Sequence, residues 1–263
     1  MKYAFMSFSC PQASLQDMLA MAARYGYDAI ELRADAGHQH GVEPHINAAE
    51  RQAIRRAVQH AGIPICCIAT SCQYANPAAT FAQLDLTRRC IDLAADLGVP
   101  RLRTFGGRLP TGLTREQAID TVAVSLASVA DYARERGVVI CVETHDDWCN
   151  PQHLAEVMRR VNHSAIAVNW DIMHPVRQAG ATMDEAYTAL KPWIRHVHFH
   201  DGLLRLDEVV LKPVGSGEID HRRAVGLLQA DGYGGYLSGE WSGWEPADVH
   251  LPRELAMMRS YEL

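Results

Sequence analysis

The sequence predicts an α/β chain closed into a single (β/α)8 TIM barrel. Three observations carry that prediction. Eight short apolar runs alternate in order with eight longer stretches of helical period. Five of those helical stretches are followed by a glycine just ahead of the next strand, where a left-handed stop is needed. The length, 263 residues, suits one barrel of this kind.

The first strand run is Tyr3–Ser9, with a helix near Ser14–Tyr25. DAIELR (Asp28–Arg33) is the second, followed by a helix near Asn47–Ala61. Then come IPICCIAT (Ile63–Thr70) with a helix near Ala79–Leu97, and PRLRTF (Pro100–Phe105) with a long helix near Thr114–Arg136. VVICVET (Val138–Thr144) precedes a helix near Pro151–Val161, and AIAVNWD (Ala165–Asp171) one near Thr182–Leu190. RHVHFHD (Arg195–Asp201) leads to a helix near His221–Ala230, and GYLSGEW (Gly235–Trp241) to a last helix near Val249–Arg259. Each run has strand length, and each crossover is long enough to hold a helix. The closing glycines are Gly26, Gly62, Gly98, Gly137 and Gly232. No linker, charge block or low-complexity segment divides the chain, so residues 1–263 read as one domain.

Composition narrows the function classes. With 48% hydrophobic and 21% charged residues, the chain is neither disordered nor fibrous. No apolar stretch is long enough to span a bilayer, and MKYAFMSFSC is too short and polar for a signal peptide. Cys66, Cys67 and Cys141, three of the seven cysteines, sit inside apolar runs, where a free thiol behaves as a small hydrophobe. These features point to reduced thiols and a cytoplasmic protein. A formal charge of −6 argues against a nucleic-acid backbone as partner. The expected partner is a small molecule, with no nucleic acid and no membrane; a homo-oligomer is compatible with this reading.

In such barrels the chemistry lies at the carboxyl ends of the strands. The fifth run ends at Glu143, the sixth at Asp171 and the eighth at Glu240, while the seventh carries His198. Period-two alternation puts Glu143 with Cys141 and Asp171 with Asn169 on the inner face. It puts Val142, Ile140, Trp170 and Val168 outside. His196, His198 and His200 share one face, away from Val197 and Phe199. Three carboxylates and an imidazole converging in a closed mouth need a counter-charge. The expectation is one divalent ion held by Glu143, Asp171, His198 and Glu240. An oxygen-rich set suits Mn2+, Mg2+ or Co2+, with Zn2+ as a further candidate.

The segments DAIELR, CVETHDD, NWDIMH, HVHFHD, VGSGEID and LSGEW, in this order and spacing, resemble the sugar phosphate isomerase/epimerase superfamily, the xylose-isomerase-like TIM barrels. That group includes ketose 3-epimerases, hydroxypyruvate isomerase, inosose dehydratase, 3-dehydroshikimate dehydratase and, more distantly, endonuclease IV. The resemblance implies metal ligands at Glu143, Asp171, His198 and Glu240, and a substrate-binding His174. His145 resembles a substrate-facing histidine of some subgroups. Arg205 is the substrate-contacting arginine by analogy, seven residues after His198 rather than six. Cys149 stands where ketose 3-epimerases show a further Glu.

The reaction expected is isomerisation or epimerisation of a small sugar or related hydroxy-carbonyl compound. Glu143 and Glu240 would move the proton through a metal-stabilised enediolate. A dehydratase of the inosose or 3-dehydroshikimate type is the first alternative. An endonuclease IV-like nuclease is remote, because the third and fourth strands end in CCIATS and RLRTFGG without histidine. Glu31 is expected to bind substrate, to orient a neighbour, or to pair with a barrel arginine. His196 and His200 read as hydrogen-bonded core, and Trp148, Trp241 and Trp244 as packing or a sugar-site wall. The FGGRLPTG segment (Gly106, Gly107, Arg108) reads as a loop, and His38, His40 and His45 as part of a lid or plain loop.

Overall fold

Side chains on each strand divide between two faces, and the sheet they form closes on itself. The chain is described by a computed structural model covering residues 1–206 and 208–262; Asp207 and Leu263 lie outside the described residues. The barrel strands are β1 (Lys2–Met6), β2 (Ala29–Arg33), β3 (Ile65–Gln73), β4 (Arg101–Phe105), β5 (Val139–Glu143), β6 (Ile166–Asp171), β7 (Ile194–Phe199) and β10 (Tyr236–Gly239). A separate hairpin pairs β8 (Asp201–Gly202) with β9 (Leu211–Lys212). The helices are α1 (Leu15–Tyr25), α2 (Ala48–Ala61), α3 (Thr80–Leu97), α4 (Arg115–Glu135), α5 (Pro151–Val161), α6 (His174–Ala179), α7 (Met183–Leu190), α8 (His221–Ala230) and α9 (Ala247–Arg259). The closed order is β1-β10-β7-β6-β5-β4-β3-β2, with all barrel pairs parallel. This is the (β/α)8 TIM barrel expected from the sequence.

Helix boundaries follow local chemistry. Ser14, Asn47, Thr114 and Thr182 each accept a hydrogen bond from the backbone three residues on. The side chains of Asp17, Glu50, Gln117 and Glu185 accept from the cap residues in return. The five closing glycines all adopt φ between 68° and 84°, the region a side chain disfavours.

The outer strand face carries Ile30, Leu32, Ile140, Val142, Val168, Trp170, Val197, Phe199 and Leu237, packed against the helices. Trp170 and Phe199 are wholly buried, each contributing about 1.5–3 kcal/mol by removal from water. Inside the barrel the floor is small: Ala4, Ala29, Cys66 and Cys67 cluster, with Tyr236 packed against them. The polar residues lie above this floor. The cysteines are free thiols, and no described helix is long and apolar enough to cross a membrane.

Two segments depart from the sequence reading. The stretch after Asp171, read as loop, begins α6, with Pro175 in its first turn. The seventh strand ends at Phe199 rather than Asp201. Asp201 is wholly buried and turns the chain out of the barrel. Its Oδ1 accepts from the N–H groups of Gly202 (2.8 Å) and Ile219 (3.2 Å), and its Oδ2 from Gly215 (2.8 Å) and Gly217 (3.0 Å). One carboxylate thus ties the HVHFHD and VGSGEID segments together. Replacing Asp201 by Ala strands these donors and is expected to cost about 3 kcal/mol or more. The measurement is the urea unfolding midpoint; a midpoint within error of wild type would contradict this role.

Candidate active site

β5, β6, β7 and β10 are consecutive in the barrel, and each delivers one side chain to the same point. Glu143 and Asp171 are the last residues of β5 and β6, His198 is the next-to-last of β7, and Glu240 follows β10 directly. Parallel register sets Asp171 opposite His198 and His198 opposite Ser238. Ligand-type atoms of Glu143, Asp171, His198 and Glu240 all lie within 4.8 Å of one another. The sequence-derived quartet is therefore brought together. Glu143, Asp171 and His198 are fully buried, and Glu240 is 16% exposed at the mouth.

His198 is the hub. Its Nδ1 lies 2.6 Å from Glu143 Oε1 and 3.0 Å from Glu240 Oε2. Its Nε2 lies 3.1 Å from Glu31 Oε1, and His196 Nε2 is 2.8 Å from Glu31 Oε2. Glu31 is thus the carboxylate that orients two inward imidazoles; it makes no barrel-arginine pair among the described residues. Burial pushes the His198 imidazole down, but Glu31, Glu143 and Glu240 outweigh it and raise its pKa well above the ordinary value. Burial likewise pushes the Glu31 and Glu240 carboxyls up. The neighbouring His198 prevails, holding Glu31 well below the carboxylate range and Glu240 down to about 2. A proton on His198 therefore supplies the counter-charge that a divalent ion would replace.

The donor set fits such an ion. Glu143 Oε2, Asp171 Oδ2 and Glu240 Oε2 are buried oxygens that accept no well-aligned hydrogen bond. What faces them is cationic or imidazole nitrogen, Arg103 Nε at 3.5 Å, His200 Nε2 at 3.0 Å and His198 Nδ1 at 3.0 Å, so their lone pairs are open to a cation. The other oxygens are engaged. Asp171 Oδ1 accepts from the N–H groups of Met173 (2.8 Å) and His174 (3.0 Å), and Asn169 Nδ2 donates to Glu143 Oε1 at 3.1 Å. Two further ligand-type groups occur, Asp171–His174–His200 and Glu31–Cys66–His196. The first shares Asp171, whose single free oxygen, Oδ2, lies 3.0 Å from His200 Nε2.

A cavity of about 450 Å3 is lined in part by Arg108, His145, Asp146, Cys149, His174 and Arg177. It adjoins the site through His174, whose Nε2 is 4.0 Å from Asp171 Oδ2, and none of the quartet lines it. Phe105, His145, His174 and His200 form a row of rings, with centroids 4.9, 4.8 and 5.3 Å apart in succession. Burial lowers the His174 pKa to about 4, so its ring is neutral at pH 7 and can donate or accept. His145 is held toward its charged form by Asp146, against the opposing effect of burial. Both predicted substrate-side histidines therefore face the cavity. Arg205 does not: its side chain is 57% exposed and pairs with Glu208 on the surface.

Three features escaped the sequence reading. Arg177, on α6, reaches the cavity while donating to the Arg205 and Glu208 carbonyls. Arg103 lies wholly inside the barrel; the alternation applied to the other strands would have placed it inward. Glu31 was singled out, but its histidine partners depend on contacts across the closed barrel. Trp148 and Trp241 are buried. Trp148 donates to Gly107 O at 2.7 Å, and a Cβ on Gly106 would fall 2.3 Å from its ring. His38 and His40 are tied to Ser7 and Arg33, and His45 is exposed.

Residues 19–261 match the family described as the xylose isomerase-like TIM barrel. The chain belongs to that family. A Xenopus laevis protein provisionally named hydroxypyruvate isomerase is 26% identical over 163 residues, 57% of each chain, so the match spans just over half the length of that curated relative. Among solved structures of the same fold, a Bacillus anthracis protein assigned to 3-DHS dehydration in petrobactin synthesis superposes with a TM-score of 0.82 at 18% identity. That superposition covers 98% of this chain and 99% of the other. A D-psicose 3-epimerase solved with D-fructose gives 0.81 at 17% identity, covering 99% of both chains. Isomerases, epimerases and a dehydratase thus share this xylose isomerase-like barrel, and an enzyme is the reading common to them.

Within it, Glu31 is the partner of two buried rings. Glu31→Ala leaves His196 without its anion and takes one of three from His198, and thermal unfolding is expected to show a loss of about 3 kcal/mol. A loss under about 1 kcal/mol would mean that the pairing contributes little.

Proposed function

We propose that this protein is a divalent-metal-dependent isomerase or epimerase of a small sugar or related hydroxy-carbonyl compound. The observation that carries the reading is the convergence of three buried carboxylates, Glu143, Asp171 and Glu240, on His198, with ligand-type atoms within 4.8 Å of one another and one oxygen of each in no well-aligned hydrogen bond. Glu143, Asp171, His198 and Glu240 would hold the ion, with Mn2+, Mg2+ or Co2+ favoured by the oxygen-rich donors. When bound, it would polarise a substrate carbonyl and its neighbouring hydroxyl and so acidify the C–H between them. A single ion is favoured because Asp171 has only Oδ2 to offer; its Oδ1 is taken by two backbone donors.

The proton then moves between the chain's own groups. One of Glu143 and Glu240 removes it and the other returns it on the adjacent carbon or the opposite face. Each carboxylate keeps one oxygen away from His198 for this purpose. Neutral His174 hydrogen-bonds a substrate oxygen from the cavity side, and His145 lies beside it. Glu31 keeps the His198 ring oriented. The formal charge of −6 supports a small-molecule substrate over a nucleic acid.

A second reading is a dehydratase, in which the same proton is removed and a β-hydroxyl leaves. Cys149, where the resemblance to ketose 3-epimerases calls for Glu, favours it, as does the likeness to a protein assigned to 3-DHS dehydration. The deciding experiment is turnover in D2O, followed by NMR over ketoses, inososes and 3-dehydroshikimate. Deuterium beside the carbonyl, or its internal transfer, with mass otherwise retained supports isomerase or epimerase. Loss of water with a new conjugated absorbance supports dehydratase. Glu240→Gln is expected to stop the exchange while keeping much of the metal affinity, since an amide oxygen still ligates but cannot act as base. No exchange on any substrate, with cleavage of abasic DNA, would contradict both readings.

A further inference from the structure

Arg103 is a charged residue of the barrel interior to which the mechanism above gives no task. It lies on β4, where register sets it opposite Cys141 and sets Phe105 opposite Glu143. Its side chain is 1% exposed. Its Nε is 3.5 Å from Glu143 Oε2 and its Nη2 is 3.9 Å from Glu240 Oε1. Two further contacts fix the guanidinium. Nη1 donates to the Thr70 carbonyl at 3.2 Å, and the guanidinium carbon sits 4.1 Å from the centroid of the Phe105 ring.

These contacts close a ring of four residues. His198 Nδ1 faces Glu143 Oε1 and Glu240 Oε2, and Arg103 faces the other oxygen of each. Every carboxylate oxygen in the pair therefore has an assigned side. The distances on the Arg103 side are those of ion pairs rather than hydrogen bonds, and both Nε and Glu143 Oε2 lack a hydrogen-bond partner. The guanidinium thus sets orientation and charge without consuming the lone pairs that a base needs. A planar fork anchored by a carbonyl and an aromatic face suits this task; a lysine ammonium at the same place is a single point charge.

We propose that Arg103 is a positioning residue for proton transfer, an electrostatic clamp that holds the outer oxygens of Glu143 and Glu240 and offsets part of their charge. The proposal rests on the reading that these two carboxylates ligate a divalent ion and exchange the substrate proton. It has a consequence independent of turnover. A fixed positive charge within 4 Å of two ligand carboxylates opposes the binding of another cation. Removing it therefore tightens metal binding while it loosens the geometry of the bases. Simple loss of packing would weaken both.

The test compares wild type, Arg103→Met and Arg103→Lys. Mn2+ titration calorimetry reads affinity and stoichiometry, and thermal unfolding checks that each variant folds. The expected result is one Mn2+ per chain throughout, bound about tenfold or more tightly by Arg103→Met and within about threefold of wild type by Arg103→Lys. With a substrate that wild type turns over, both variants are expected to lose about 100-fold or more in kcat with KM nearly unchanged. Added guanidinium is expected to restore part of the Arg103→Met rate. Weaker Mn2+ binding by a folded Arg103→Met, or wild-type kcat in either variant, overturns the proposal. If Arg103→Met does not fold, Arg103→Lys decides: Mn2+ affinity near wild type with kcat lost supports the clamp, and loss of both overturns it. If wild type takes up no Mn2+, the metal reading fails and the clamp falls with it. If wild type binds Mn2+ but turns over no substrate, the Arg103→Met affinity decides.

Discussion

Four carboxylates share one closed space at the top of this barrel, and their mutual repulsion is the constraint that the site is built to meet. Glu31, Glu143, Asp171 and Glu240 converge there with His196, His198, His200 and Arg103, all but Glu240 nearly or wholly removed from water. Burying like charges together is unfavourable unless opposite charge is supplied at short range. The chain supplies part of it. His198 faces three of the carboxylates, His200 approaches Asp171, and Arg103 stands between Glu143 and Glu240. One oxygen on each of Glu143, Asp171 and Glu240 still accepts no well-aligned hydrogen bond, and the three carboxylates' convergence on His198 is the basis of the metal reading.

The rest of the fold makes this concentration of charge tolerable. Apolar residues on the outer strand face join sheet to helices and form the large continuous core. Small residues close the barrel floor and leave the upper half to polar side chains. Around the mouth, single polar groups organise whole segments: Asp201 gathers four backbone donors, and Trp148 pins the loop at Gly107. Strength in the outer layer and polarity in the mouth are the division of labour expected of such barrels.

Much of this was legible in the sequence, because it depends on one-dimensional periods. Alternation assigned Glu143, Asp171 and His198 to the inner face. Glycine after each of five helices marked stops that all adopt positive φ. What was not legible depends on closure. That Glu31 of β2 meets His196 and His198 of β7 follows from the barrel's return through β1 and β10, which no local pattern encodes. Arg205 was a candidate by family resemblance, one residue off the family's spacing, and beyond the chain's exit at Asp201 it lies on the surface. Arg103 is a different case: alternation in RLRTF places it inward, but an inward arginine is neither a metal ligand nor a base, so its type alone marks no site. His174 lines the cavity and opens a short helix, α6, which the sequence did not mark.

The central claim is that the quartet, and not the neighbouring Asp171–His174–His200 group, holds one divalent ion. Elemental analysis of Mn2+-reconstituted protein, paired with anomalous scattering from its crystals, tests it most directly. The account predicts one ion per chain in wild type and in His174→Asn, located between Glu143, Asp171, His198 and Glu240, and none in His198→Ala. An anomalous peak seated on His174 and His200 with the quartet vacant, or loss of the ion in His174→Asn, would contradict it.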